Sequence, residues 1–214
     1  MSRVKRLLIA FTGVDGSGKS TLAKTLLDRL ASENVDVEYL WWFSAEDSAL
    51  GKIVGSVVRR IENSSKAEDA KPSKIGLARR LYQFAVLLDY LWRVWYSCTL
   101  GKNIVCDRYV YDIVVFFATE FHYSEARTRR LSTVLRRVAP KPHITFLVDV
   151  PADIAMQRKN DIPSSAQHEE LRRLYCALAT RDTNVRYLDG SRSLEELNST
   201  IWALVRDCVE EHSL

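Results

Sequence analysis

One glycine-rich segment near the start of the chain has the residue types and spacing needed to bind a phosphate group. Residues 13–20 read GVDGSGKS and match the pattern GxxxxGK[ST] in full. Glycines let backbone N–H groups curve around a phosphate, because no Cβ atom stands in the way. Lys19 would reach the β- and γ-phosphates of a nucleotide, and the Ser20 hydroxyl would ligate Mg²⁺. This segment, the phosphate loop, therefore predicts a nucleoside triphosphate site.

Asp15 lies inside the phosphate loop. A carboxylate there would repel the phosphates of a nucleotide unless it faced away from them. We interpret Asp15 as pointing toward a hydroxyl of the molecule that accepts the phosphoryl group. The alternative is a backbone cap or a solvated turn residue.

A second group of reactive side chains follows the short apolar stretch 104–106. Asp107 would hold a metal ion or its water shell. Arg108 would clamp a phosphate with two hydrogen bonds and stabilise charge as the phosphoryl group moves. The alternative is a structural ion pair at the end of a strand.

The elements that would position these residues alternate along the chain. Periodicity predicts strands at 4–11, 35–43, 103–107, 143–150 and 184–188. It predicts helices at 19–32, 46–61, 75–100, 110–139 with a break near 122–124, 152–159, 168–181 and 193–211, and polar loops at 62–74 and 160–167. The alternation predicts an α/β fold, a five-stranded parallel sheet with helices on both faces. Ligands bind such sheets beyond the carboxyl ends of the strands.

Composition excludes several other classes of protein. The 214 residues are 47% hydrophobic, which argues against a disordered chain, and no apolar run is long enough to span a membrane. The 31 basic and 27 acidic residues leave a net charge of +4, too small an excess to indicate a nucleic-acid partner. The four cysteines lack metal-ligand spacing, which favours free thiols in a reducing cytoplasm.

Three motifs together resemble the thymidylate kinase family. They are GVDGSGKST at 13–21, DRY at 107–109 and LVDVPADIAMQR at 147–158, in the order and approximate spacing of that family. The resemblance covers essentially the whole chain. It implies a P-loop NTPase fold of the nucleoside monophosphate kinase type, with a single kinase domain over 1–214 and a short lid around 158–168.

The resemblance also implies an activity, the ATP-dependent phosphorylation of dTMP to dTDP with Mg²⁺, and a homodimer formed through the long helices. The residues implied to bind ATP are Gly13, Asp15, Gly16, Ser17, Gly18, Lys19, Ser20 and Thr21. Those implied to bind the acceptor are Asp15, Phe84, Arg108 and Tyr109. The catalytic set is Lys19, Asp107, Arg108 and Arg158, and the metal ligands are Ser20 and Asp107.

Two of these roles have ordinary alternatives. Phe84 would stack on thymine, but it also fits the core side of a long amphipathic helix. Arg158 and Lys159 would supply the cation of the lid, but they also suit a solvated helix end. Arg172 and Arg173 are weaker lid candidates. The loop at 189–191 would pack the adenine.

The chain departs from the family on the acceptor side. An arginine is usual soon after the second strand, where residues 41–46 here read WWFSAE. The arginine that reads thymine is replaced by Tyr90, with Arg93 one turn further on. After DRY the family prefers a serine, where this chain has Tyr111 and Asp112. The identity of the acceptor is therefore open.

Two other functions remain possible from the residues alone. A kinase for a hydroxyl acceptor, such as a deoxynucleoside, would need a carboxylate base, and Glu46 is the obvious choice. A nucleotide-regulated switch of the GTPase type would carry an NKxD guanine reader. The chain has none, because residues 158–161 read RKND.

Overall fold

Strands and helices alternate in the computed structural model, which describes residues 6–41, 56, 72–159, 164–180 and 182–212. In these ranges the strands are β1 (Leu8–Thr12), β2 (Val37–Trp41), β3 (Asn103–Asp107), β4 (Ile144–Asp149) and β5 (Val185–Asp189). The helices are α1 (Lys19–Ser32), α2 (Pro72–Thr99), α3 (Val110–Glu120), α4 (Glu125–Val138), α5 (Ala152–Arg158), α6 (Ser165–Ala179) and α7 (Leu194–His212).

The five strands form one sheet in the order β2-β3-β1-β4-β5. Strand β1 pairs in parallel with both β3 and β4, and β4 pairs in parallel with β5. The register places Phe11 opposite Asp107 and Thr12 opposite Leu147. The phosphate loop and the start of the DRY motif therefore leave the same edge of the sheet side by side. The predicted α/β fold with a five-stranded parallel sheet is confirmed.

The core surrounds β1 on both sides. Ile9 and Phe11 belong to an apolar cluster with residues of α1, α7 and β4. Leu8 and Ala10 point to the opposite face, because side chains alternate along a strand, and they are also buried. The rigid element before the phosphate loop is thus held from both faces.

Most predicted elements lie within a few residues of the observed ones. Helix α1 has the predicted bounds, and the break near 122–124 separates α3 from α4, with His122 at a φ of 50°. The start of α6 was predicted too late, because Ser164 caps it by accepting a hydrogen bond from the backbone N–H of Gln167. The predicted helix at 46–61, apart from residue 56, and the predicted loop as far as residue 71 lie outside the described residues. The loop was predicted to extend to residue 74, but α2 already begins at Pro72.

Contacts divide the chain into two compact units. One comprises Met1–Leu40 and Ser97–Leu214 and contains the phosphate loop, and the other comprises Trp41–Tyr96 and contains most of α2. All four cysteines are free thiols, of which Cys98 and Cys106 are buried. Among the described residues, no helix combines the length and the apolar character that crossing a membrane requires.

Candidate active site

The phosphate loop is shaped by close approaches that only glycine permits. Gly13 has a φ of 142°, and a Cβ atom there would lie 2.3 Å from the carbonyl oxygen of Val148. Gly16 has a φ of 79°, and its Cβ would lie 2.8 Å from the carbonyl oxygen of Ala155. By contrast, a Cβ on Gly18 would meet nothing within 4 Å. Gly18 is the N-cap of α1, so the open space lies at a helix N-terminus, which favours anions.

Lys19 is a buried cation whose partners lie within the phosphate loop. Its Nζ donates a hydrogen bond to the carbonyl of Val14 at 3.0 Å and lies 3.3 Å from Oδ1 of Asp15. Burial, and next the positive charge of Arg108, lower the pKa of Lys19. A desolvated ammonium of this kind interacts strongly with an incoming phosphate, because little water screens it.

Three cations meet at the carboxylate of Asp15. Arg108 reaches Oδ1 at 2.6 Å, Lys19 lies on the same oxygen, and Lys159 reaches Oδ2 at 3.4 Å. Burial alone would raise the pKa of Asp15, but the charges of Arg108, Lys19 and Lys159 outweigh it and hold the pKa well below its ordinary value. Asp15 is therefore ionised. Its half-exposed carboxylate holds together three cations that would also bind a phosphate.

The Arg108 backbone adopts a conformation that is unusual for a residue other than glycine. Its φ is 73°, in the left-handed region. The Arg108 N–H donates to the carbonyl of Phe11 at 2.9 Å, which continues the β1–β3 pairing by one residue. This strained turn directs the guanidinium toward the phosphate loop, and such strain often accompanies function.

Asp107 is a buried carboxylate with one oxygen engaged. Its Oδ2 accepts a hydrogen bond from the Tyr39 hydroxyl at 2.7 Å. Its Oδ1 is buried and has no hydrogen-bond partner in the part of the chain that the structure describes. A buried carboxylate oxygen left in this state suits a cation or its water shell. Tyr39 was missed by sequence reasoning, since nothing in a strand marks one tyrosine as the partner of a distant aspartate.

Arg158 and Lys159 have separate partners although they are adjacent. The Arg158 guanidinium donates to the carbonyl of Gly190 at 2.9 Å, whereas Lys159 reaches Asp15. Arg158 also lines a cavity of about 190 Å³ with residues of the phosphate loop, α1 and the start of α7: Ser17, Gly18, Thr21, Leu22, Gly190, Arg192, Leu194 and Leu197. Lys19, Arg108 and Lys159 thus meet at Asp15, whereas Arg158 has its hydrogen-bond partner at Gly190.

Two further residues from the sequence analysis have structural partners. Arg172 forms two parallel hydrogen bonds of 2.7 Å with the carboxylate of Asp149, and it also bonds Glu169. The Tyr109 hydroxyl donates to the carbonyl of Pro140 at 2.6 Å. Arg172 therefore joins α6 to β4, and the acceptor-binding role of Tyr109 stays a prediction.

The residues expected to recognise the base lie in the other compact unit. Phe84 is 53% exposed, so it is not the core residue that was its alternative reading. Tyr90 is fully buried, and Arg93 forms an ion pair of 3.2 Å with Asp89, one turn earlier. Residues 42–46, which include Glu46, lie outside the described residues.

Sequence reasoning also gave no role to Asp112, which is buried beside the DRY motif. Both of its oxygens are engaged, one by the Tyr109 N–H and the other by the Tyr175 hydroxyl. The only signal was the departure from the family's serine in this stretch. Its partner Tyr175 is 63 positions away in the sequence.

Comparison with known proteins agrees with this arrangement. The family model for thymidylate kinase matches residues 11–201. A probable thymidylate kinase of Pyrococcus horikoshii is 27% identical over 210 residues, covering 92% of this chain and 95% of its own length. The thymidylate kinase of Ligilactobacillus salivarius is 22% identical and covers 88% of this chain and 92% of its own length. The thymidylate kinase of Plasmodium falciparum is 25% identical and covers 92% of this chain and 88% of its own length. The match includes all three motifs, which confirms the resemblance, and the chain therefore belongs to the thymidylate kinase family.

Proposed function

We propose that this chain transfers the γ-phosphoryl group of ATP to dTMP and so forms dTDP. One observation carries the proposal. The complete phosphate loop and Arg108 of the DRY motif meet in space at Asp15, with 2.6 Å between the Arg108 guanidinium and that carboxylate. Two similar proteins from unrelated organisms are named thymidylate kinases. The enzyme class expected from the motifs, an ATP-dependent phosphotransferase, agrees with the family.

Phosphoryl transfer asks the protein mainly for positioning and charge compensation. The backbone N–H groups of residues 13–18 and the Lys19 ammonium would hold the β- and γ-phosphates, with Ser20 and Thr21 at the start of α1 beside them. Arg108 would lie between donor and acceptor phosphates and stabilise the charge that spreads over the transferring group. A phosphate acceptor is already a nucleophile, so the reaction needs no general base.

Asp15 would change partners during the reaction. In the structure its carboxylate pairs with Lys19, Arg108 and Lys159. Phosphates would compete for the same cations, leaving the half-exposed carboxylate to accept a hydrogen bond from the sugar hydroxyl of dTMP. This agrees with the expectation that Asp15 faces the acceptor rather than the nucleotide donor.

Mg²⁺ fits the residues that the sequence assigned to it. Ser20 opens α1, and Asp107 offers one buried oxygen without a hydrogen-bond partner in the described part of the chain. No group of three or more His, Cys, Asp and Glu side chains suited to a metal occurs among the described residues. Mg²⁺ in such enzymes uses one or two protein oxygens together with phosphates and water. The ion would neutralise phosphate charge.

The adenine of ATP would occupy the cavity beside the phosphate loop. Its wall includes Arg158 and Gly190, and Arg158 is fixed there by its bond to the Gly190 carbonyl. We also propose that residues 1–214 form a single kinase domain and that a short lid lies around 158–168. Lys159 would be the cation of the lid on the Asp15 side, and Arg158 the cation on the adenine side.

A second copy of this chain is the partner that α2 suits. Its exposed apolar side chains repeat every three or four residues: Leu81, Phe84, Leu88, Trp92 and Trp95. At 100° per residue they fall within about 80° of the helix circumference, so they form one stripe. Contiguous exposed apolar side chains of this kind mark surfaces that bind another protein. We infer that two copies of the chain form a homodimer through this stripe. We also infer a cytoplasmic location, because free thiols are typical of a reducing compartment.

The decisive measurement is product identity with purified protein, ATP and Mg²⁺ against dTMP, other nucleoside monophosphates and thymidine. The proposal expects dTDP and ADP in equal amounts, with thymidine unchanged. Phosphate appearing on thymidine but not on dTMP would favour the hydroxyl-acceptor kinase instead. ATP binding without turnover on any acceptor would favour a nucleotide-regulated binding protein.

A further inference from the structure

Asp112 is a buried carboxylate that the phosphoryl-transfer scheme does not use. It lies in the first turn of α3 with 2% of its surface exposed. Its Oδ2 accepts a hydrogen bond from the backbone N–H of Tyr109 at 2.9 Å, and its Oδ1 accepts one from the Tyr175 hydroxyl at 3.0 Å. Burying a carboxylate is costly unless hydrogen bonds and a cation compensate it. The hydrogen bonds are therefore only part of its environment.

The compensating charge comes from the active site. Burial raises the pKa of Asp112, and the positive charges of Arg108 and Lys19 oppose that rise. Burial alone would lower the pKa of Arg108, but the charges of Asp112 and Asp15 raise it above its ordinary value. The positive charge of Arg108 is thus stabilised by two carboxylates, that of Asp15 on the phosphate loop and that of Asp112 on α3.

Asp112 also supports the backbone that aims Arg108. The left-handed φ of 73° at Arg108 is strained for a side chain with a Cβ atom. The next residue, Tyr109, donates a hydrogen bond from its N–H to the Asp112 carboxylate and is the N-cap of α3. The carboxylate therefore stabilises the turn directly after Arg108 as well as the charge of its guanidinium.

Tyr175 brings a third element to this point. It lies on α6, which begins at Ser165 inside the segment around 158–168 assigned to the lid, and α6 packs against α3. Burial, and next the charge of Asp112, keep the pKa of Tyr175 well above its ordinary value, so its hydroxyl stays protonated and donates a hydrogen bond to Asp112. The Tyr175–Asp112 bond joins α6 to the turn that carries Arg108.

We propose that Asp112 and Tyr175 form a positioning pair for Arg108, which holds the guanidinium in place for phosphoryl transfer and links it to α6. The inference rests on the proposed function, since it assigns Arg108 a part in that reaction. Neither residue would touch a substrate.

The test compares two variants that each lose one buried tyrosine hydroxyl bonded to an aspartate. Tyr175→Phe removes the bond to Asp112, and Tyr111→Phe removes a bond of 2.8 Å to Asp182, which instead pairs with Arg136. Both variants should lower the melting temperature to a similar extent. Only Tyr175→Phe should lower kcat for dTMP, by about tenfold, with the KM for ATP unchanged. Tyr111→Phe should keep kcat within about twofold of the wild-type value.

Equal kcat values for the two variants would overturn the inference, because Tyr175 would then matter only for stability. The wild-type protein is assayed with dTMP before any variant. If it did not phosphorylate dTMP, the proposed function itself would be wrong. Asp112→Asn supplies a second test should Tyr175→Phe not fold. It keeps an oxygen acceptor but loses the charge, and it should also lower kcat.

A double-mutant cycle separates positioning from a general effect. In an Arg108→Ala background, Tyr175→Phe should lower kcat by less than about twofold further, because the residue it positions is gone. A further loss of about tenfold in that background would show that Tyr175 acts independently of Arg108, and it would contradict the proposal.

Discussion

The phosphate loop and the stripe on α2 were both visible in the sequence, yet the fold treats them in opposite ways. The phosphate loop brings charged side chains into a buried network, where Lys19 is 4% exposed and bonds within its own loop. The stripe leaves apolar side chains in contact with water, and Trp92 is 68% exposed. The polar side chains of the phosphate loop have their partners within the chain, whereas the apolar side chains of the stripe are exposed in the part of the chain that the structure describes.

The two regions suit different kinds of binding partner. In the cluster at Asp15 the charges already pair with one another, and a small anion would bind by competing for the cations. An exposed apolar face is buried only by another surface, because the hydrophobic effect requires that area be removed from water. Changes in the first region should affect chemistry, and changes in the second should affect assembly.

The largest effect should follow Lys19→Ala. Removing the ammonium should lower kcat/KM by about 10³-fold, because it stabilises charge in a site shielded from water. Steady-state rates with dTMP measure the loss. Lys24→Ala, an exposed lysine on the same helix, is the matched control. Near-normal turnover of Lys19→Ala would mean that the phosphate loop takes no part in the reaction. A change in the oligomeric state of this variant would mean that the phosphate loop and the stripe do not act separately.

Trp92→Glu should act on assembly instead. A charge placed in the stripe should weaken a homodimer on the order of 100-fold, as removal of a central aromatic residue at an interface does. Analytical ultracentrifugation over a range of concentrations reports this change. Val134→Glu is the control, since Val134 is an exposed apolar residue on α4 outside the stripe. A wild-type protein that is monomeric at all concentrations would contradict the assigned partner.

Asp15→Ala tests whether the loop's carboxylate serves the acceptor. The KM for dTMP should rise about tenfold, as expected for one lost hydrogen bond to a charged group, and the KM for ATP should rise less. Initial rates with each substrate varied in turn distinguish the two. The reverse pattern would mean that the carboxylate faces ATP. Glu33→Ala, an exposed acid just after α1, should leave both constants unchanged.

The smallest effect should follow Arg158→Ala. Its guanidinium bonds a backbone carbonyl in the cavity wall, so its loss should raise the KM for ATP by about threefold to fivefold and leave kcat nearly unchanged. Lys159→Ala should instead act on the Asp15 side and alter kcat. The sequence offered both residues as the cation of the lid, and a larger effect of Arg158→Ala on kcat would identify Arg158 as that cation.

Predictability followed the distance between interacting residues. The bounds of α1 could be predicted because helical spacing is local. The start of α6 could not, since one serine in a polar stretch acts as a cap only when the chain turns there. Phe84 was ambiguous for the same reason, because a helix pattern shows an apolar side but not what covers it.

The amino-acid sequence alone determined the phosphate loop, its neighbouring elements and the family. These depend on short-range rules: glycine conformations, a lysine at fixed spacing and strand–helix alternation. The tertiary structure alone decided which charges meet. Arg108 and Lys159 reach Asp15 from 93 and 144 positions away, and Asp107 meets Tyr39 across 68. Such pairs follow from the order in which strands lie in a sheet, which no local pattern encodes, and from burial, which makes each unpaired charge costly.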